Sequence, residues 1–109
     1  MSDFIATLEV IAQFQNGQEV GLTARIGRAR PEDGGWLCPV ELSPVYQEAM
    51  NVKGVDSFHA TWLACSLVLK LLGHLKAEGA VLKAADGSAF PLEAYLAGLD
   101  AGARDAEGG

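Results

Sequence analysis

Apolar and polar positions alternate from the start of the chain. Phe4, Ala6, Leu8, Val10, Ala12 and Phe14 fall on one face, and Ile5, Thr7, Glu9, Ile11 and Gln13 on the other. A period of two over this length predicts a β-strand with one buried face. The stretch Gln15-Asn16-Gly17-Gln18 then signals a hairpin, and Val20, Leu22, Ala24 and Ile26 continue the pattern in a second strand. The facing sets decide the register. A two-residue turn would pair Phe14 with Glu19 and set apolar against polar. A three-residue loop, Gln15-Asn16-Gly17, pairs Val10 with Leu22 and Leu8 with Ala24, with Gly17 in the left-handed position, and this register is expected.

After the turn-forming Arg-Pro-Glu-Asp-Gly-Gly stretch, Trp36, Cys38, Val40 and Leu42 alternate in a third strand. Pro39 cannot donate to a ladder, so this strand is expected at an edge or bulged there. Residues 43–54 are read as a loop with one helical turn over 46–50. A helix starts at Asp56 or Ser57, either of which can cap it, and stops at Gly79, with Lys70, His74 and Lys76 toward its far end. Residues 80–90 read as a short strand or hairpin turning at Asp86-Gly87. A last short helix enters at Pro91, with Leu92, Tyr95, Leu96 and Leu99 on one face. The pattern predicts an α+β fold: an antiparallel meander of three to five strands, one long helix on one face and a short C-terminal helix. Residues 1–99 form the single domain in this reading, and 100–109 a tail without apolar anchors.

On a helical wheel Phe58, Thr61, Trp62, Cys65, Val68, Leu69, Leu72 and Leu75 form one stripe, read as the core face; His59, Ser66, Lys70, Gly73 and His74 lie opposite. Cys65 is thereby expected to be a buried structural thiol, like Cys38, and neither histidine can reach it as a nucleophile's base. Leu63 and Leu67 fall on the polar side, so the apolar arc is wider than one sheet requires. The C-terminal helix, a second copy or another protein must cover the excess. Leu63, Leu67, Lys70 and His59 are the candidate interface residues. Trp36, Trp62 and Tyr46 are the candidates for lining an aromatic pocket between sheet and helix.

Composition narrows the classes. The chain has 109 residues, half of them hydrophobic, with 14 Asp and Glu against 8 Lys and Arg, a formal net charge of -6. One domain of this size builds its core without staples. The acidic balance argues against nucleic acid or an anionic membrane as partner. The N-terminus lacks a signal-peptide pattern, and the longest apolar stretch, broken by Ser66, Lys70, Gly73 and His74, is read as too short for a bilayer. A cytoplasmic protein with two reduced thiols is expected. Arg25, Arg28 and Arg30 read as a surface set and Glu32 and Asp33 as turn chemistry. The chain carries no phosphate loop, dinucleotide fingerprint, zinc spacing or nucleophile elbow, so no catalytic residue, metal or cofactor is assigned.

The stretches RIGRARPEDGGWLCPVEL and GVDSFHATWLACSLVLKLL resemble a family of small bacterial domains of unknown function. Ile26, Gly27, Arg30, Pro31, Trp36, Cys38, Pro39, Gly54, Asp56, Ser57, Ala60 and Ala64 carry the resemblance, which extends over about residues 4–99. It implies the same fold and a bacterial setting, and carries no site residues over. Together the expectations are a non-catalytic protein-binding module, such as an immunity protein or adaptor. The alternatives are a small-molecule binding domain and a homodimeric structural domain.

Overall fold

The computed structural model describes residues 4–44 and 46–96. Six strand segments form one antiparallel sheet: β1 (Phe4–Gln13), β2 (Glu19–Gly27), β3 (Arg30–Glu32), β4 (Gly35–Ser43), β5 (Tyr46–Gly54) and β6 (Val81–Lys83). Helix α1 (Ser57–Ala77) connects β5 to β6, and a short helix, α2 (92–96), ends the described chain. This is the expected α+β architecture. The expected tail, 100–109, and Leu99 lie outside the described residues.

The first hairpin has the register that the facing apolar sets require. Leu8 lies opposite Ala24, Val10 opposite Leu22 and Gln13 opposite Glu19. The Phe14 N–H donates to the Gln18 carbonyl at 2.8 Å, and Gly17 closes the loop at φ 88°, where a side chain would be strained. At the other end of β1 the ladder shifts between Phe4 and Ala6, so Ile5 is a bulge residue.

β4 is central rather than an edge. Val40 lies opposite Ile26 of β2 on one side and Met50 of β5 on the other, and Leu37 lies opposite Arg30 of β3 and Lys53 of β5. Pro39 sits where the first ladder is broken, between the β2 and β3 pairings, so its missing N–H costs that ladder nothing. Gly27 stands opposite this break, where a Cβ would come within 2.8 Å of Pro39 Cγ. The Cys38 thiol donates to the Gly27 carbonyl at 3.3 Å. Residues 46–54, expected as a loop with a helical turn, form the strand β5. Met50 and Val52 alternate there with Asn51 and Lys53, and pairing with β4 extends the sheet by one strand.

α1 is capped as its sequence suggests. Asp56 accepts from the His59 N–H at 2.7 Å, and His59 Nδ1 accepts from the Val55 N–H at 3.0 Å, a reciprocal arrangement that satisfies two donors at the helix start. The helix stops in a Schellman motif. Ala80 N–H donates to Leu75 O and Gly79 N–H to Lys76 O, both at 3.0 Å, with Gly79 at φ 105°.

The helix meets the sheet along a different line from the expected one. Ala60, Ala64, Val68 and Leu72 are buried, whereas Phe58, Trp62 and Cys65, expected in the core, are exposed. The cause is close backbone approach. A Cβ on Gly54 would lie 2.7 Å from Ala60 Cα and 2.9 Å from the His59 carbonyl carbon. Only small residues fit between α1 and the end of β5, so the alanine row turns inward and the large residues beside it turn out. The core then consists of this row and the inward residues of β1, β2 and β4, with Leu82, Phe90 and Leu92 closing one end. α1 is also, by length and composition, apolar enough to cross a bilayer, contrary to the expectation that this stretch is too short, and 22% of its most apolar window is buried against the sheet.

Two glycine substitutions separate close approach from helix propensity. Gly54→Ala must push the helix from the sheet and is expected to cost about 1–3 kcal/mol. Gly73→Ala, in a helix position with no atom within 4 Å, is expected to stabilise by up to about 1 kcal/mol. Urea denaturation measures both; equal effects at the two positions would contradict the packing described.

Candidate functional site

α1 lies over β4 and β5 and leaves the β1 side of the sheet partly open. Along that flank runs an apolar trough. Its deeper part is a cleft of about 270 Å³ lined by Ala6, Leu8, Ala24 and Ile26 from the sheet, Cys65 and Leu69 from the helix and Tyr95 from α2. Its other end is bounded by Ile5 and Ala29 on the sheet side and by Phe58 and Thr61 on the helix, with Arg28 beside them. Each wall has a local cause. The bulge at Ile5 sets this residue beside Phe58. The alanine row rotates Phe58, Trp62, Cys65 and Leu69 toward the flank. Phe90 stacks on Tyr95, centroids 5.1 Å apart, and Lys76 pairs with Glu93, which holds α2 against the end of α1.

The trough's rim is unusually apolar for a surface. Phe58 is 78% exposed, Ile5 49%, Tyr95 47% and Trp62 44%. A solitary exposed hydrophobe needs no explanation, but a contiguous set of aromatic and aliphatic residues does.

Several titratable groups near the helix and its ends have structural roles. Burial pushes the Cys38 thiol up, against a hydrogen bond from Thr61 that lowers it, and burial also pushes the Cys65 thiol up. Both thiols are therefore protonated at neutral pH, which suppresses nucleophilic character. His59 belongs to the helix cap. Asp86 is held below the usual carboxylate range by Ser88, whose hydroxyl donates to Asp86 Oδ1 at 2.6 Å in the tight turn at Asp86-Gly87. Glu93 is held low by the Lys76 ammonium. Among the described residues no three His, Cys, Asp or Glu side chains gather into a metal-holding group. Arg25 lies over the Phe4 ring at 5.4 Å and Arg30 pairs with Glu32 at 3.7 Å.

The residues singled out from sequence are scattered. Leu63 and Leu67 lie half-buried on the opposite flank of α1, beside Val52, Ser66 and Lys70, so β5 already covers part of them. Lys70 is exposed there, and His59 is half-buried at the helix start. Trp36 packs partly buried against the core, Trp62 stands exposed on the same side of α1 as Phe58 without lining the cleft, and the side chain of Tyr46 lies outside the described residues. Trp36 and Trp62 are absent from the lining of the cleft. Of the residues that form the trough, Phe58, Cys65 and Leu69 are expected in the core stripe and Tyr95 on the face of the last helix; none of them, nor Ile5, is among the interface or pocket candidates. Their signal was the pair Ala60 and Ala64 one turn apart, after Gly54.

Compared with protein-family models, curated proteins and solved structures, the chain matches none.

The two thiols provide a direct check of the trough. In dilute native protein one thiol, Cys65, is expected to react with an alkylating reagent, and Cys38 only on unfolding. The Cys65 rate is expected to keep rising with pH beyond the ordinary thiol range. Two thiols reacting alike, or none, would contradict this placement.

Proposed function

We propose that this chain is a non-catalytic protein-binding module, and that its partner docks on the trough and rim formed by Ile5, Phe58, Trp62, Cys65, Leu69 and Tyr95. One observation carries the proposal: several large apolar side chains share one flank of α1 in solvent although the helix has a complete core face without them. Exposed surface of this kind costs solubility and does nothing for folding, which is the signature of a docking surface. Beside it, Thr61 donates to the Ser57 carbonyl and His59 belongs to the helix cap. We place the protein in a bacterial cytoplasm, in the manner of an immunity protein or adaptor, and in the family of small domains that its Trp-Leu-Cys-Pro strand and Gly-Val-Asp-Ser helix start resemble.

A second reading has its own observation. The cleft under Tyr95 is apolar, concave and of a size for a small apolar molecule. It lies on the same flank, so both readings use the same surface.

The double variant Phe58→Lys, Trp62→Lys separates docking from folding. Phe58 is 78% exposed and its replacement is expected to change stability by urea denaturation by no more than about 0.5 kcal/mol; Trp62, 44% exposed, is expected to cost about 1–2 kcal/mol without unfolding the chain. Proteins retained by the immobilised wild-type chain, second copies included, are expected to be lost by the variant. A variant that unfolds, or retains everything the wild type does, would contradict the proposal.

A further inference from the structure

We infer that the occupant of the trough is a second copy of this chain, bound about a two-fold axis with the two α1 helices antiparallel, so that Phe58 of each copy enters the cleft of the other. This rests on the docking reading above and names its partner. Three observations support it.

The first is shape. The same flank carries both a ridge and a hollow. Phe58, at the start of α1, is 78% exposed, and the cleft lies beside Cys65 and Leu69, two to three turns further along the helix. A two-fold contact uses one patch twice and must be self-complementary. Reversing the second helix brings each ridge over the other hollow. A cavity of ~150 Å³ takes up benzene, so the cleft of about 270 Å³ has room for a phenyl ring.

The second is area. At ~150–250 Å² per aromatic side chain, Phe58, Trp62 and Tyr95 at 78%, 44% and 47% exposure present roughly 350 Å². Ile5, Ala6, Cys65 and Leu69 raise the strip to at most about 600 Å² per copy; covered in full on both copies, that is about 1,200 Å² in total, the lower bound of stable specific interfaces.

The third is charge. The chain holds 14 Asp and Glu, yet the residues lining the trough include no carboxylate. A basic partner would find no counter-charge there. A second copy would meet no opposing carboxylate within the strip, and the antiparallel arrangement keeps the two Arg28 ends apart. The remaining repulsion is between two chains of net charge -6, long-range and screened by salt. Added salt therefore tightens this contact, whereas it weakens a complex with a basic partner.

The test is light scattering on the intact chain from micromolar to sub-millimolar concentration, with the alkylation rate of Cys65 followed in the same samples. The expected result is a mass twice that of one chain at high concentration, with Cys65 protected in proportion to the dimer fraction and the dimer fraction rising with salt. Phe58→Lys is expected to halve the mass and restore the Cys65 rate, with the circular dichroism spectrum unchanged. Should that variant unfold, the concentration dependence of Cys65 protection in the wild type decides without it. A wild-type mass of one chain throughout overturns the inference, as does a dimer that leaves Cys65 reactive and ignores Phe58→Lys. In either case the docking reading survives if the wild type retains a foreign protein that the double variant loses, and fails with the inference if it does not.

Discussion

The contact on which the molecule turns is between two backbones. Gly54 ends β5 and Ala60 begins the second turn of α1, and there is no room for a Cβ between them. This approach sets the rotation of the helix about its own axis. With Ala60 fixed against the sheet, the residues at i+4, i+8 and i+12 follow, and Ala64, Val68 and Leu72 are buried in turn. Val68 and Leu72 then supply the burial energy, about 1.5–3 kcal/mol each. The alanines supply proximity. The orientation of Phe58, Trp62 and Cys65 is a consequence of the same rotation, so the core and the exposed apolar flank have one cause.

The sheet is arranged around a second small-residue joint. The strand pairing of β4 passes from β2 to β3 opposite Pro39, where Gly27 leaves space for the proline ring and accepts the Cys38 thiol's hydrogen bond. A proline in a central strand is thereby tolerated because the ladder is already interrupted at that point. The sheet's other face carries Glu9, Arg25, Asn51 and Lys53 in solvent. The two-layer arrangement buries the helix-facing side only, and α1 covers that side over β4 and β5 more fully than over β1.

What the sequence revealed, and what it concealed, follows from these contacts. The hairpin register was legible because a period of two, matched faces and one glycine in the turn all required the same pairing. The cap at Asp56, the stop at Gly79 and the turn at Asp86-Gly87 were legible because each is local chemistry. The helix face was not legible, because on α1 size does not mark burial: Phe58 and Trp62 are exposed and Ala60 and Ala64 buried. Phe58 and Trp62 lie on the side of the large-residue stripe away from Ala60 and Ala64, which define the buried line with Val68 and Leu72, and the meaning of the alanines depends on Gly54, which is adjacent only in space. β5 was missed because Pro44 before it and the polar Gln47, Glu48, Asn51 and Lys53 within it resemble a loop; pairing with β4 overrides that composition. Leu63 and Leu67 widen the apolar arc of α1, and β5, whose polar residues hide it as a strand, half covers them.

The account stands on the rotation of α1, and the most direct test is the set of nuclear Overhauser contacts of that helix in a dilute, monomeric sample. Strong contacts are expected from the Gly54 α-protons to the Ala60 amide, with the Ala64 methyl seeing core methyls of the sheet and Phe58 seeing Ile5 at most. A helix whose Phe58 and Trp62 rings contact the β4 side chains Val40 and Leu42, with Ala60 and Ala64 facing solvent, would contradict it.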